Sequence, residues 1–104
     1  MTHSATKVII ITEKIILDHV TKLIEHAGCS GYTVIACGGK GSRGIRTSGP
    51  AAIVDDFSNI KIEVVTMNRE TAEKIAHQIA ESFFENYSGI TYIETVEILR
   101  PHKF

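Results

Sequence analysis

The sequence predicts an α+β domain with elements in the order β-α-β-β-α-β. Three observations carry that reading: four short runs rich in β-branched residues, two stretches with apolar residues at helical spacing, and turn residues at Gly28 and at Asn86-Tyr87-Ser88-Gly89.

Lys7-Val8-Ile9-Ile10-Ile11-Thr12 is a short apolar run and reads as a buried strand. Ile16, Val20, Leu23, Ile24 and Ala27 follow at helical spacing, so 13–27 reads as an amphipathic helix, with Gly28 to end it. A second strand runs from about Gly31 to Cys37 and a third from Asn59 to Thr66, the latter alternating apolar and polar residues at its start. Asn68 is placed to cap a second helix, and Glu70 and Glu73 suit the positive end of its dipole. Ala72, Ile75, Ala76, Ile79, Ala80 and Phe83 form one apolar stripe along that helix. The last strand spans Ile90 to Leu99, and Pro101 ends it. This order is the ferredoxin-like one, with both helices on one face of an antiparallel sheet. Ile and Val dominate both sides of the pleat, so the second face also needs cover. The expected cover is other copies of the chain, as a homo-oligomer.

A length of 104 residues with 43% hydrophobic content fits a single domain over 1–104 with a real core. The formal net charge of −1 argues against a nucleic-acid partner, because no global field steers the chain to polyanions. Cys29 and Cys37 flank a strand that holds them apart, so free thiols in a reducing cytoplasm are expected. The first six residues lack the apolar core of a signal peptide, and no apolar stretch approaches a membrane span.

Chemistry concentrates in Gly38-Gly39-Lys40-Gly41-Ser42-Arg43-Gly44-Ile45-Arg46-Thr47-Ser48-Gly49, which holds five glycines, three cations and no acid. Glycines let backbone amides approach a ligand, and successive amides in a tight turn form an anion-holding concavity. Arginine adds a planar fork that suits phosphate oxygens. The run contains a literal G-x-G-x-x-G, but Ile45-Arg46-Thr47-Ser48-Gly49-Pro50 is no helix start, which excludes a dinucleotide fold. A P-loop fails too, since Lys40 is followed by Gly41. The connection from about Gly38 to Ser58 is long for a compact domain, a length typical of functional or mobile loops. His3, His19, His26, His77 and His102 have no metal-like spacing, so neither a metal site nor a catalytic constellation is expected. Glu63 stands as a polar residue in an apolar strand, facing solvent or ordering a pocket.

These residues resemble a known family. Gly31-Tyr32-Thr33-Val34, Gly39-Lys40-Gly41 and Ile60-Lys61-Ile62-Glu63-Val64-Val65 are similar to the PII signalling superfamily in order and spacing. Thr12-Glu13-Lys14, Gly38-Gly39-Lys40-Gly41-Ser42-Arg43 and Ser88-Gly89-Ile90 resemble more specifically the PII-like carbon-sensing proteins of cyanobacteria, the SbtB type. The resemblance implies a homotrimer with nucleotide sites in the clefts between subunits and no enzymatic activity. Its ligands would be adenine nucleotides (cAMP, AMP, ADP or ATP), with no further cofactor. It also implies regulation of a sodium-dependent bicarbonate transporter by a cytoplasmic protein that is peripheral at the inner membrane when bound. The contact would be made through a mobile T-loop at about 41–57. Carried over by position, Gly39, Lys40, Gly41, Ser42, Arg43 and Arg46 would hold phosphate, Thr33 would line the pocket, and Gly89 and Ile90 would meet adenine through backbone groups.

Departures from the wider family refine this picture. Arg43 stands where PII proteins that sense 2-oxoglutarate carry a Gln beside magnesium, and an Arg there repels a metal. A phosphate-binding Lys of those proteins falls at about Gly89, which favours a ligand with few phosphates. The loop has no Tyr for uridylylation, and with the sequence running to Phe104 the redox or nucleotide-hydrolysing behaviour tied to the Cys-containing extension of some SbtB-type members is not expected. Two rival readings stand beside this one: an acylphosphatase-like enzyme of the same topology, and an ACT-like small-molecule regulatory module.

Overall fold

Residues 1–29, 31–38, 40–41, 44–45 and 58–100 are described by the computed structural model. Its elements are β1 (His3–Glu13), a 3-10 turn (Lys14–Ile16), α1 (Leu17–His26), β2 (Tyr32–Cys37), β3 (Lys40–Gly41), β4 (Gly44–Ile45), β5 (Asn59–Thr66), α2 (Arg69–Phe83) and β6 (Gly89–Ile98). The main sheet has the order β2-β5-β1-β6, and every neighbouring pair is antiparallel. The expected β-α-β-β-α-β order is therefore present, with both long helices on one face.

That face is built from alternation. Val8 and Ile10 of β1 and Ile60, Ile62 and Val64 of β5 point to the helices, where Ile16, Val20, Ile24, Ala72, Ile75 and Ile79 meet them in one buried cluster. Truncating a fully buried isoleucine such as Ile75 to Ala would cost about 2–5 kcal/mol. Asn68 caps α2 as its position predicts: its side-chain oxygen accepts from the amides of Glu70 at 2.9 Å and Thr71 at 3.3 Å. Gly28 ends α1 with φ of +95°, a conformation that disfavours a side chain.

Three boundaries differ from the sequence reading. β1 begins at His3 rather than Lys7, because residues 3–6 pair with Thr95–Ile98 of β6. The first helix starts later than residue 13. Glu13 is still in β1, opposite Asn59, and the 3-10 turn intervenes before α1. The glycine run is not all loop, since Lys40 pairs with Ile45 and Gly41 with Gly44 in a small second sheet. Most of the proposed T-loop at 41–57 lies outside the described residues.

Among the described residues, no helix covers the second face of the sheet. Cross-strand neighbours share a face, so Thr33, Glu63, Ile9 and Tyr92 form one row, and Ile35, Lys61, Ile11 and Ile90 the next. Ile9 is buried there by its neighbours, whereas Ile35, Ile90 and Tyr92 are 48%, 55% and 40% exposed. An apolar surface of this kind is the usual sign of a contact with another chain.

Candidate nucleotide site

β2 is an edge strand, and its start frames a cleft of about 240 Å³ lined by Gly31, Tyr32, Thr33, Glu63 and Val65. Register places Thr33 directly opposite Glu63, so a hydroxyl and a carboxylate share one face of the cleft. Glu63 is half-buried and lies 3.6 Å from the Lys61 ammonium, two residues along the same face. Tyr32 points the other way, where its hydroxyl donates to Glu25 Oε2 at 2.9 Å. That hydrogen bond raises the phenol pKa above its ordinary value. The cleft thus offers a rotatable hydroxyl, an acceptor carboxylate and the backbone of a sheet edge. That set can pair with a flat heterocycle bearing an amino group.

Gly89 and Ile90 open β6, at the opposite edge of the sheet, where they pair with Thr12 and Ile11. The turn before them is pinned to the end of β1. Ser88 donates its amide to Glu13 Oε2 at 2.7 Å, and Thr12 donates its hydroxyl to the Ser88 carbonyl at 2.8 Å. Gly89 is held close against the Phe84 ring, and a Cβ there would run into it. This gives Gly89 a packing role whatever it binds.

Two strands, β5 and β1, separate Thr33 from Gly89 and Ile90. Three inter-strand spacings amount to roughly 14 Å, too far for one adenine ring to touch both sets within one chain. Of the glycine-run residues, Lys40 and Gly41 sit in β3, while Gly39, Ser42, Arg43 and Arg46 lie outside the described residues.

Sequence reasoning did not single out Asn59 as a site residue. It starts β5, opposite Glu13 on one side and Cys37 on the other, and is fully buried. Among the described residues, neither its Oδ1 nor its Nδ2 has a hydrogen-bond partner. Such orphan amides are rare in folded interiors and mark places where a ligand, a water or a rearranged segment completes the pairing. Its only signal in the sequence is a polar residue opening an apolar strand. Beside it, Glu13, Lys14, Ile15 and Ser58 line a further cleft of about 340 Å³. Among the described residues no group of three or more His, Cys, Asp or Glu could hold a metal, and no helix is long and apolar enough to cross a membrane.

Comparison with known proteins decides the family. The model of the nitrogen regulatory protein P-II family matches residues 5–103. The chain belongs to that family. P-II proteins are signalling regulators, and solved structures of PII-like proteins superpose on nearly all of this one. CPII from Thiomonas intermedia K12, bound to ADP and bicarbonate, is 28% identical, with a TM-score of 0.82 over 100% of this chain and 97% of CPII. A second CPII structure, bound to ADP, AMP and bicarbonate, is 27% identical, with a TM-score of 0.80 over 100% and 96% of the two chains. A PII-like signalling protein from Thermus thermophilus is 28% identical, with a TM-score of 0.77 over 99% and 97%.

Proposed function

We propose that this P-II protein is an adenine-nucleotide sensor of the SbtB type. It works as a homotrimer and signals carbon status by modulating a membrane bicarbonate transporter. The observation that carries this reading is the position of two residue sets on opposite edges of one sheet. Thr33 with Glu63 supplies one wall at the β2 edge, and Gly89 with Ile90 supplies the other at the β6 edge. A second copy brings the missing wall to each, and the exposed Ile35, Ile90 and Tyr92 give that copy an apolar face to cover. The CPII relatives, which hold ADP, AMP and bicarbonate, support both the nucleotide class and the link to inorganic carbon.

In this mechanism the Glu63 carboxylate and the Thr33 hydroxyl orient the base. Backbone groups of Gly89 and Ile90 from the neighbouring subunit meet its other edge. Gly39, Lys40, Gly41, Ser42, Arg43 and Arg46 close on the phosphate, so ligand grip and partner contact share one stretch of chain. The nucleotide shifts the loop between β2 and β5 toward whichever state it binds better, and only by that difference in affinity. The favoured state admits or blocks the transporter at the inner membrane, and the protein is otherwise cytoplasmic. No step requires a catalytic group or a metal.

Thermal-shift measurements with cAMP, AMP, ADP and ATP, paired with light scattering, test this reading. A stabilising shift and a trimer mass are expected. A monomer that ignores all four nucleotides but hydrolyses acyl phosphate would favour the acylphosphatase-like alternative.

A further inference from the structure

We infer that the groove between α1 and α2 is a docking site for an acidic protein segment, separate from the nucleotide cleft. The groove measures about 350 Å³ and is lined by His19, Lys22, Leu23, His26, Ala27, Lys74 and Gln78. Residues 19, 22 and 26 fall three and four apart and share one face of α1, while Lys74 and Gln78 share one face of α2. Leu23 and Ala27 pack on the core and form its floor. The lining contains two lysines and two histidines and no carboxylate.

The lining is a local cationic strip on helices that also carry Asp18, Glu25, Glu70, Glu73 and Glu81 outside it. The chain carries a formal net charge of −1, yet Lys22 and Lys74 pair with no acid among the described residues. Among the nearby acids, Glu25 accepts from Tyr32 and Glu73 holds Arg69, while Asp18 and Glu70 stand one turn before Lys22 and Lys74 without forming an ion pair to them. His19 is steadied by the Phe83 ring, with centroids 6.3 Å apart. An open trough with charged rims and a narrow apolar floor suits a protein segment bearing carboxylates better than a buried small ligand. The groove lies on the helix face, so it stays accessible when the opposite sheet face is covered by other subunits. The inference does not depend on the nucleotide reading.

The test is fluorescence anisotropy of a fluorescein-labelled peptide of four Asp-Glu repeats titrated with the full chain, at low salt and again at high salt. The unmodified chain should bind at low salt and release the peptide as salt rises, because exposed charge pairs are screened. Lys22→Gln combined with Lys74→Gln should weaken binding at least tenfold, while the far-UV circular dichroism and the cooperative unfolding transition are retained. Lys14→Glu, outside the groove, should leave peptide binding in place. No binding by the unmodified chain would overturn the inference. So would an equal loss in Lys14→Glu, which would mean general charge attraction, or binding to anionic phospholipid vesicles but not to the peptide.

Discussion

Glu13 holds the backbone of Ser88 across 75 residues of chain, with its Oε2 2.7 Å from the Ser88 nitrogen. Thr12 takes the carbonyl of the same residue. The end of the central strand therefore fixes the turn that presents Gly89 and Ile90. A hydrogen bond to a charged group contributes about 1.5–3 kcal/mol. Glu13→Ala should lower unfolding stability by that amount in urea titrations and weaken nucleotide binding as the turn loosens. Glu13→Gln, which keeps an acceptor, should recover most of both. Full stability in Glu13→Ala would show that the clamp does not hold the turn.

Gly89 has no room for a side chain, because the Phe84 ring occupies the space. Gly89→Ala should cost about 1–3 kcal/mol through overpacking. Pairing it with Phe84→Leu should return part of that loss, giving a double-mutant energy smaller than the sum of the singles. Simple additivity would place the strain elsewhere.

Asn59 is buried, and among the described residues neither amide atom has a partner. An unpaired buried polar group costs about 1–3 kcal/mol. Asn59→Leu should therefore leave the ligand-free protein as stable as before or more so, and reduce the thermal shift produced by nucleotide or bicarbonate. A destabilisation of more than about 1 kcal/mol in urea would mean that the amide is already satisfied.

Burial pushes the Cys29 thiol above its ordinary pKa, with a hydrogen bond involving Thr66 opposing the shift. The thiolate is thus scarcer than in a free cysteine at mildly alkaline pH, and alkylation by iodoacetamide should be slow there. Its rate should rise only at higher pH, and Thr66→Val should move the profile higher still. Because the folded state holds this proton more tightly, the associated stability is present at neutral pH and lost as pH rises through the thiol range. A Cys29 alkylation profile matching that of a free thiol would contradict this.

Fold was legible because local signals agreed with tertiary demands. The helical stripe from Ala72 to Phe83 and the Asn68 cap needed no long-range information. The start of β1 did, because His3–Thr6 become strand only by pairing with the far end of the chain. Glu13 looked helical for a similar reason, since its pairing with Asn59 and its grip on Ser88 are invisible to spacing. The glycine-rich run suggested an anion site by composition alone, and most of it lies outside the described residues. What composition could not reveal is that Thr33 and Ile90 stand on opposite sheet edges. That separation is a property of strand order, and strand order is set by contacts far apart in sequence.

Calorimetric titration of AMP and cAMP into the unmodified chain and into Arg43→Ala tests the central claim most directly. Saturable binding at one site per chain is expected, with the variant weaker by about 1.5–3 kcal/mol, the scale of a hydrogen bond to a charged group. No binding of either nucleotide to the unmodified chain would contradict the account.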